Sequence, residues 1–199
     1  TTTAATSITT TQAVLGGTGT PNGEATTGWF RISTTSPGTC NDTFGTRVPA
    51  TSGTDLGSGV AAVPYSITTT GLAPATTYYF CSIVQNPSGT AFGSVLTFTT
   101  PAPPTTSSAA ATTITSSGAI LNGAANPNGT SSTGWFRYST TDPGACTDAF
   151  GTRAPTSGGT TLGMGSSAVA YTQTISGLTP GTTYYYCAIA SNSWGTSFG

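Results

Sequence analysis

The chain runs to 199 residues with four arginines, no lysine, no histidine and five acids, for a net charge of −1. Charges so few and so nearly balanced give no electrostatic hold on nucleic acid or on an anionic membrane surface, and near-zero net charge favours association over free diffusion in a cytosol. No apolar run comes near the roughly 18 residues that a spanning helix needs, so no membrane insertion is expected.

Threonine makes up nearly a quarter of the residues, beside abundant Ser, Gly, Ala, Val and Tyr. Thr, Val and Tyr suit a pleated strand, Gly and Pro punctuate it, and no segment shows helical periodicity. In chain order, Thr6–Thr11 and Gln12–Gly17 read as the first two strands, and Pro21-Asn22-Gly23 as a turn. Thr27–Thr34 is a strand with Phe30 and Ile32 on one face and Trp29 and Arg31 on the other. Ser36–Asp42 is a loop carrying Cys40, and Ala50–Gly59 is loop or weak edge strand. Val63–Thr70 is a strand that ends at Gly71-Leu72-Ala73-Pro74. Thr77–Gln85 is the most hydrophobic strand, Asn86–Gly89 turns, and Ala91–Thr99 is the last strand. Seven short strands with turn signals between them indicate a β-sandwich.

The same order then comes round again. Ala13–Gly93 aligns without a gap onto Ala119–Gly199 at an offset of 106, with 46 of 81 positions identical. Gly28-Trp29-Phe30-Arg31 recurs as Gly134-Trp135-Phe136-Arg137, and Thr76-Thr77-Tyr78-Tyr79 as Thr182-Thr183-Tyr184-Tyr185. A period this long is one small domain rather than a solenoid unit. The chain therefore divides into module one over 1–100, a Pro- and Thr-rich linker over 101–106, and module two over 107–199. The linker composition favours extended polyproline II, a semi-rigid spacer.

Four cysteines allow three pairings. A bond that recurs in each module has to be Cys40–Cys81 and Cys146–Cys187; the other reading is four free thiols. With no His and no C-x-x-C spacing, metal ligation is disfavoured, and no glycine pair matches a phosphate-binding loop, so neither metal nor cofactor is expected. Paired cysteines imply an oxidising compartment, extracellular or at the cell surface. With neither an initiator Met nor a signal peptide, the sequence reads as a mature, processed or trimmed piece.

One motif is more specific than propensity. Leu72-x-Pro74-x-Thr76-x-Tyr78 recurs as Leu178-x-Pro180-x-Thr182-x-Tyr184. It resembles the E–F corner of fibronectin type III domains, where a tyrosine bonds back to the upstream backbone; the resemblance implies that role for Tyr78 and Tyr184. Ala13-x-Leu15-x-Gly17 with Pro21-Asn22-Gly23, then Phe44-Gly45-Thr46, Gly57-x-Gly59 and Asn86-x-x-Gly89, is similar to the fibronectin type III-like repeats of large bacterial surface and secreted proteins. The likeness covers nearly all of both modules and implies an all-β fold of two tandem fibronectin type III-like (immunoglobulin-like) β-sandwiches.

The chain departs from that pattern in its cysteines and tryptophans. Cys81 alternates with Tyr78 and Phe80, so it is expected to point away from the core, the bridge strapping a loop across the outer face of the sheet. The tryptophan that type III domains carry near strand B is absent, and Trp29 and Trp135 are expected to face outward from strand C.

Without histidine, and with the cysteines oxidised, Ser–His–Asp and Cys–His catalysis are excluded. Of the acids only Asp42 recurs in register, as Asp148; Glu24 is replaced by Thr130 and Asp55 by Thr161. No carboxylate pair suited to glycoside hydrolysis is duplicated, and the chain reads as no enzyme. Trp29, Arg31 and Tyr79, with Trp135, Arg137 and Tyr185, form the one chemically distinctive surface. It reads as packing over the disulfide with Arg stacked on an aromatic ring, as a contact with a neighbouring subunit, or as a platform for sugar rings. Asn41-Asp42-Thr43 and Asn128-Gly129-Thr130 match the N-glycosylation acceptor, each in one module alone.

These features point to a structural extracellular array, a stalk, fibre or filament subunit, whose partners are copies of itself end to end or further modules of the same chain. The alternative is an adhesin or carbohydrate-binding accessory module. Gly199 corresponds to Gly93, so Ser94–Thr99 has no counterpart and the last strand of module two is incomplete. Either the protein continues, or a segment of another subunit completes the sheet, with the uncharged run Thr1–Thr10 as a possible donor.

Overall fold

The computed structural model describes all 199 residues, which divide into two compact units, Thr1–Pro101 and Ala102–Gly199. In unit one the strands are β1 (Thr2–Thr6), β2 (Gln12–Gly19), β3 (Thr27–Ser33), β4 (Thr46–Val48), β5 (Thr54–Asp55), β6 (Val63–Thr70), β7 (Thr77–Asn86), β8 (Gly89–Phe92) and β9 (Leu96–Thr99). One sheet has the order β1-β2-β6; the other has β4-β3-β7-β8, with β5 added on β3 and β9 on β7. Each inner face alternates with an outer one: along β2, Ala13, Leu15 and Gly17 are buried and their neighbours are not. The two inner faces meet over Leu15, Phe30, Tyr65, Phe80 and Phe98. Three strands packed on a larger sheet in this order make a fibronectin type III-like sandwich.

In unit two the strands are β10 (Thr105–Thr112), β11 (Gly118–Asn126), β12 (Ser132–Ser139), β13 (Thr152–Ala154), β14 (Thr160–Gly163), β15 (Val169–Ser176), β16 (Tyr185–Asn192) and β17 (Gly195–Phe198). The sheets repeat the plan as β10-β11-β15 and β13-β12-β16-β17, with β14 on β12. Their shared core holds Leu121, Phe136, Tyr171, Ile175 and Ala188.

A buried tyrosine explains one recurrent glycine. The Tyr65 ring packs against β3, and a Cβ on Gly28 would sit 2.8 Å from it; Gly134 stands in the same relation to Tyr171. Each hydroxyl reaches across the sandwich to a backbone carbonyl, Tyr65 to Ile83 O at 3.1 Å and Tyr171 to Ile189 O at 2.9 Å. Burial pushes the Tyr65 hydroxyl up to about 12 and raises Tyr171 as well.

The structure moves several expected elements. The first strand is Thr2–Thr6, and Thr6–Thr11 is mostly the turn that follows, with Ser7 at a φ of 48° and Thr9 N–H bonded to Gln12 O. Threonine content alone does not separate a strand from the turn beside it. The run Thr1–Thr10 is accordingly no free donor: Thr2, Thr3 and Thr6 pair with β2 of the same unit, and Thr1 O accepts Ser82 Oγ–H at 2.8 Å. The expected last strand breaks into β8 and β9, both on β7, because Gly93 N–H turns in to Ser82 O. Thr46–Val48 forms a short edge strand on β3 where none was expected. The expected linker is shorter than 101–106: Ala102 O and Pro103 O accept amide N–H groups of Asn192 and Asn128, and Thr105 and Thr106 already pair with β11.

Candidate functional site

On the outer face of the larger sheet in unit one, β3 and β7 set Trp29 opposite Ile83 and Arg31 opposite Cys81. The pleat points all four away from the main core. Trp29, Cys81 and Ile83 form a second apolar cluster there, joined by Cys40, Phe44 and Val95. The Cys40–Cys81 disulfide, with Cα atoms 6.0 Å apart, draws the loop after β3 across this face. Trp29 is therefore outward in direction yet only 4% exposed, and Trp135 only 8%. The Trp29 ring points out from the sheet, and the strapped loop and Arg47 cover it.

A polar network closes over the cluster. Asp42 Oδ1 accepts the indole N–H of Trp29 at 2.9 Å and Nε–H of Arg31 at 2.8 Å. The Arg31 guanidinium also donates to the carbonyls of Asp42, Phe44 and Gly45, pinning the loop by its backbone. Asn41 sets the turn, its Oδ1 accepting the N–H of Thr43 at 2.9 Å and of Phe44 at 3.1 Å. Arg47, from β4, lies over the Trp29 ring at 4.5 Å, held there by the carbonyls of Pro49 and Ser52. Burial pushes the Asp42 carboxyl up, but hydrogen bonds from Arg31 and Trp29 and the charges of Arg31 and Arg47 outweigh it and hold Asp42 below the usual carboxylate value.

Unit two rebuilds the arrangement. Cys146–Cys187 spans 6.0 Å between Cα atoms. Asp148 accepts from Trp135 and Arg137, both at 2.9 Å, and Arg153 covers the Trp135 ring at 4.7 Å. Asp148 is likewise lowered, with burial opposing bonds from Trp135 and Arg137. Trp135, Cys187 and Ile189 cluster with Cys146 and Phe150.

Tyr79 and Tyr185 stand apart from this network: Tyr79 pairs with Ser33 and is half-buried, and Tyr185 is 39% exposed. Tyr78 and Tyr184 lie at the corner, each hydroxyl accepting a backbone N–H five residues upstream, from Ala73 at 2.9 Å and Thr179 at 3.0 Å. Asn128 Nδ2 donates to Pro103 O at 2.7 Å, and Asn41 Nδ2 to Thr39 O at 3.3 Å.

Asp42, Arg47, Asp148 and Arg153 belong to the site; from sequence Asp42 and Asp148 were noted only as the recurring acid, and Arg47 and Arg153 were not placed on this surface. A signal existed. Both arginines of module one recur in module two, and Asp42 is the one acid that does. Charges kept in register within so uncharged a chain mark a shared ion-pair network. Chemically the arrangement is a brace: carboxylate, guanidinium and indole satisfy one another, and the sulfurs are oxidised. Such disulfides belong to oxidising compartments. No helix is long and apolar enough to cross a membrane.

No protein-family model matches the chain, and no curated protein matches it. Among solved structures, the FN1-FN3 domains of chicken CNTN1 align at 17% identity with a TM-score of 0.43, covering 98% of this chain and 62% of that one. A two fibronectin type III domain segment from chicken tenascin aligns at 13% identity with a TM-score of 0.34, covering 98% of this chain and 94% of that one. The chain thus spans less than two thirds of the first of these. Likeness at this level carries no functional argument, and the sandwich topology rests on the strand pairing itself.

Proposed function

We propose that the chain is a structural, non-catalytic segment of an extracellular stalk, fibre or filament, of the kind built from fibronectin type III-like repeats in large secreted bacterial proteins. The observation that carries this reading is the duplication of the strapped face, with the same aromatic, cationic and anionic side chains engaged with one another in both units. A binding platform keeps such groups free for its ligand; here they hold a loop against a sheet. Each disulfide closes a separation of 41 residues, which stabilises its unit by about 4 kcal/mol in the chain-entropy model. Partners on this reading are further copies of the chain end to end or further modules. Electron microscopy of the native material tests it: continuous fibres support the proposal, and isolated particles at every concentration sink it.

A second reading, an adhesin or glycan-binding module, draws on the exposed aromatics of unit two, Tyr185 with Trp194 at 37% and Phe198 at 44% exposure. Glycan-array binding that Trp194→Ala abolishes would favour it over the structural role.

A further inference from the structure

Every strand edge in unit one is short or engaged except one. β4 is three residues long, β5 two, and β8 and β9 four each. β1 is broken by a register shift between Thr3 and Thr6, and Thr1 and Thr2 tie it to Ser82. β6 runs for eight residues at the rim of its sheet, with β2 as its one neighbour and no bulge between them. The direction of its backbone groups follows from β2. Thr1 and Thr18 exchange hydrogen bonds, the Thr1 amino group donating to Thr18 O at 2.6 Å and Thr18 N–H to Thr1 O at 2.9 Å. Successive residues of an antiparallel strand turn their backbone groups to opposite sides, so Ala13, Leu15, Gly17 and Gly19 face β6, and their partners Thr69, Ile67, Tyr65 and Val63 face back. Pro64, Ser66, Thr68 and Thr70 therefore aim theirs out of the sheet. Pro64, with no N–H to offer, stands where a strand tolerates proline.

All four outward residues are exposed, and no strand of this chain reaches the N–H and C=O groups of Ser66, Thr68 and Thr70. Sheets normally blunt such an edge with charge, a bulge or a covering segment. Here no acid or base occurs between Asp55 and Arg137. Unit two does carry a guard. In the same register Thr174 points outward on β15, and its carbonyl accepts the Gln173 amide at 2.8 Å. Ile67 stands in the place of Gln173 and has no such group. Apolar surface flanks β6 at both ends: Val60 is 80% exposed with Ala61 and Ala62 beside it, and Ala73 and Ala75 are exposed after the strand.

We propose that β6 is a self-association edge: it pairs antiparallel with β6 of a second copy of this chain, Thr68 opposite Thr68, joining two three-stranded sheets into one. A second copy is the occupant because the edge is its own complement. About a two-fold axis beside Thr68, Ser66 meets Thr70 of the second copy, and each outward N–H of Ser66, Thr68 and Thr70 finds an outward C=O. The side chains set opposite one another are hydroxyls, which pair across antiparallel strands. Pro64 fixes the register. An axis beside Ser66 would set Pro64 against Thr68 and lose a hydrogen bond, whereas the axis beside Thr68 leaves Pro64 past the end of the opposing strand. The same axis turns Val60–Ala62 towards Ala73–Ala75 of the second copy, apolar surface towards apolar surface. With no charge on either edge nothing repels the two copies, and a charged partner would find no group to answer it. This contact is side by side, distinct from the end-to-end contacts of a fibre.

Sedimentation of the whole 199-residue chain over a concentration series tests this. A monomer–dimer equilibrium is expected, with amide exchange at Ser66, Thr68 and Thr70 slowing as the dimer forms. Thr68→Lys leaves the ladder to β2 alone but sets two like charges against each other, and should weaken the dimer at least about tenfold. Two double variants read the register, one with Ser66→Lys and Thr70→Lys, the other with Ser66→Asp and Thr70→Asp. Each should be monomeric alone, with its melting temperature unchanged, and the two should pair when mixed, since Ser66 lies opposite Thr70. Loss of the dimer in each and its return in the mixture support the edge. A chain that stays monomeric at every concentration, a dimer that Thr68→Lys leaves intact, or no recovery on mixing overturns it. None of these outcomes depends on whether the native material forms continuous fibres.

Discussion

Trp29 is fixed by Asp42: the indole N–H donates to the carboxylate at 2.9 Å, and the same oxygen holds Arg31 at 2.8 Å. One carboxylate on a disulfide-tied loop therefore orients a nearly buried aromatic ring and a guanidinium on β3 together. Asp42→Ala leaves that indole N–H without a partner and should destabilise unit one by about 1–3 kcal/mol. Asp42→Asn, which keeps an acceptor but no charge, should cost less. Asp148→Ala should act alike on unit two. Denaturant titrations of the variants decide it, and unchanged midpoints for both alanine variants would show that the network carries no stability.

The same carboxylates set an acid limit. Asp42 and Asp148 are held below the ordinary 3.8 in the folded chain. A lowered folded value means stability that is present above the unfolded pKa and lost as pH falls through the folded one. Melting temperature should stay level above roughly pH 5 and drop below the ordinary carboxylate range. The Asp42→Asn, Asp148→Asn double variant should flatten that drop; an identical pH profile would assign acid sensitivity to other groups.

At the alkaline end the sign reverses. Tyr65 is raised from 10.0 to about 12 by burial, so its contribution is complete below pH 10 and is lost as pH rises through 12. Tyr65→Phe removes the titrating group and should shrink the stability loss over that range, at a cost near neutrality from the lost hydrogen bond to Ile83 O. Spectrophotometric tyrosine titration beside melts at each pH is the check. Full ionisation of Tyr65 near pH 10 in the folded chain would contradict the burial argument.

At the corner, Tyr78→Phe and Tyr184→Phe each delete one acceptor for a backbone N–H. Each should lower the stability of its own unit by about 1 kcal/mol. Calorimetry of the two single variants would expose an error if neither transition moved.

Non-reducing peptide mapping should recover Cys40 linked to Cys81 and Cys146 linked to Cys187. Reduction should destabilise each unit by about 4 kcal/mol. A Cys40–Cys146 peptide would be incompatible with two separately strapped units.

Much of the fold was legible because strand signals are local. Val63–Thr70 matches β6 residue for residue, and the Asn86–Gly89 turn links β7 to β8. Boundaries failed where composition is uniform: a run of threonines looks the same as strand or as turn, and Ser7 at positive φ is decided by the register with β2. The edge strand Thr46–Val48 was missed because three residues carry no period, and their pairing with β3 is set by the chain looping back.

The sequence by itself determined that there are two like modules, where many of their turns fall, which residues of β3 and of β7 alternate between one face and the other, and which charges recur, since repetition and a two-residue alternation are one-dimensional facts. Only the tertiary structure decided that the outward Trp29 is covered, because burial depends on where the loop after β3 is carried, and that path is closed by Cys40–Cys81, Asp42 and Arg47, residues 41, 13 and 18 positions from their partners Cys81 and Trp29. It also decided that Thr2–Thr6 belongs to its own sheet, because an edge hydrogen bond is satisfied by whichever strand lies next to it in space, not by its neighbours along the chain.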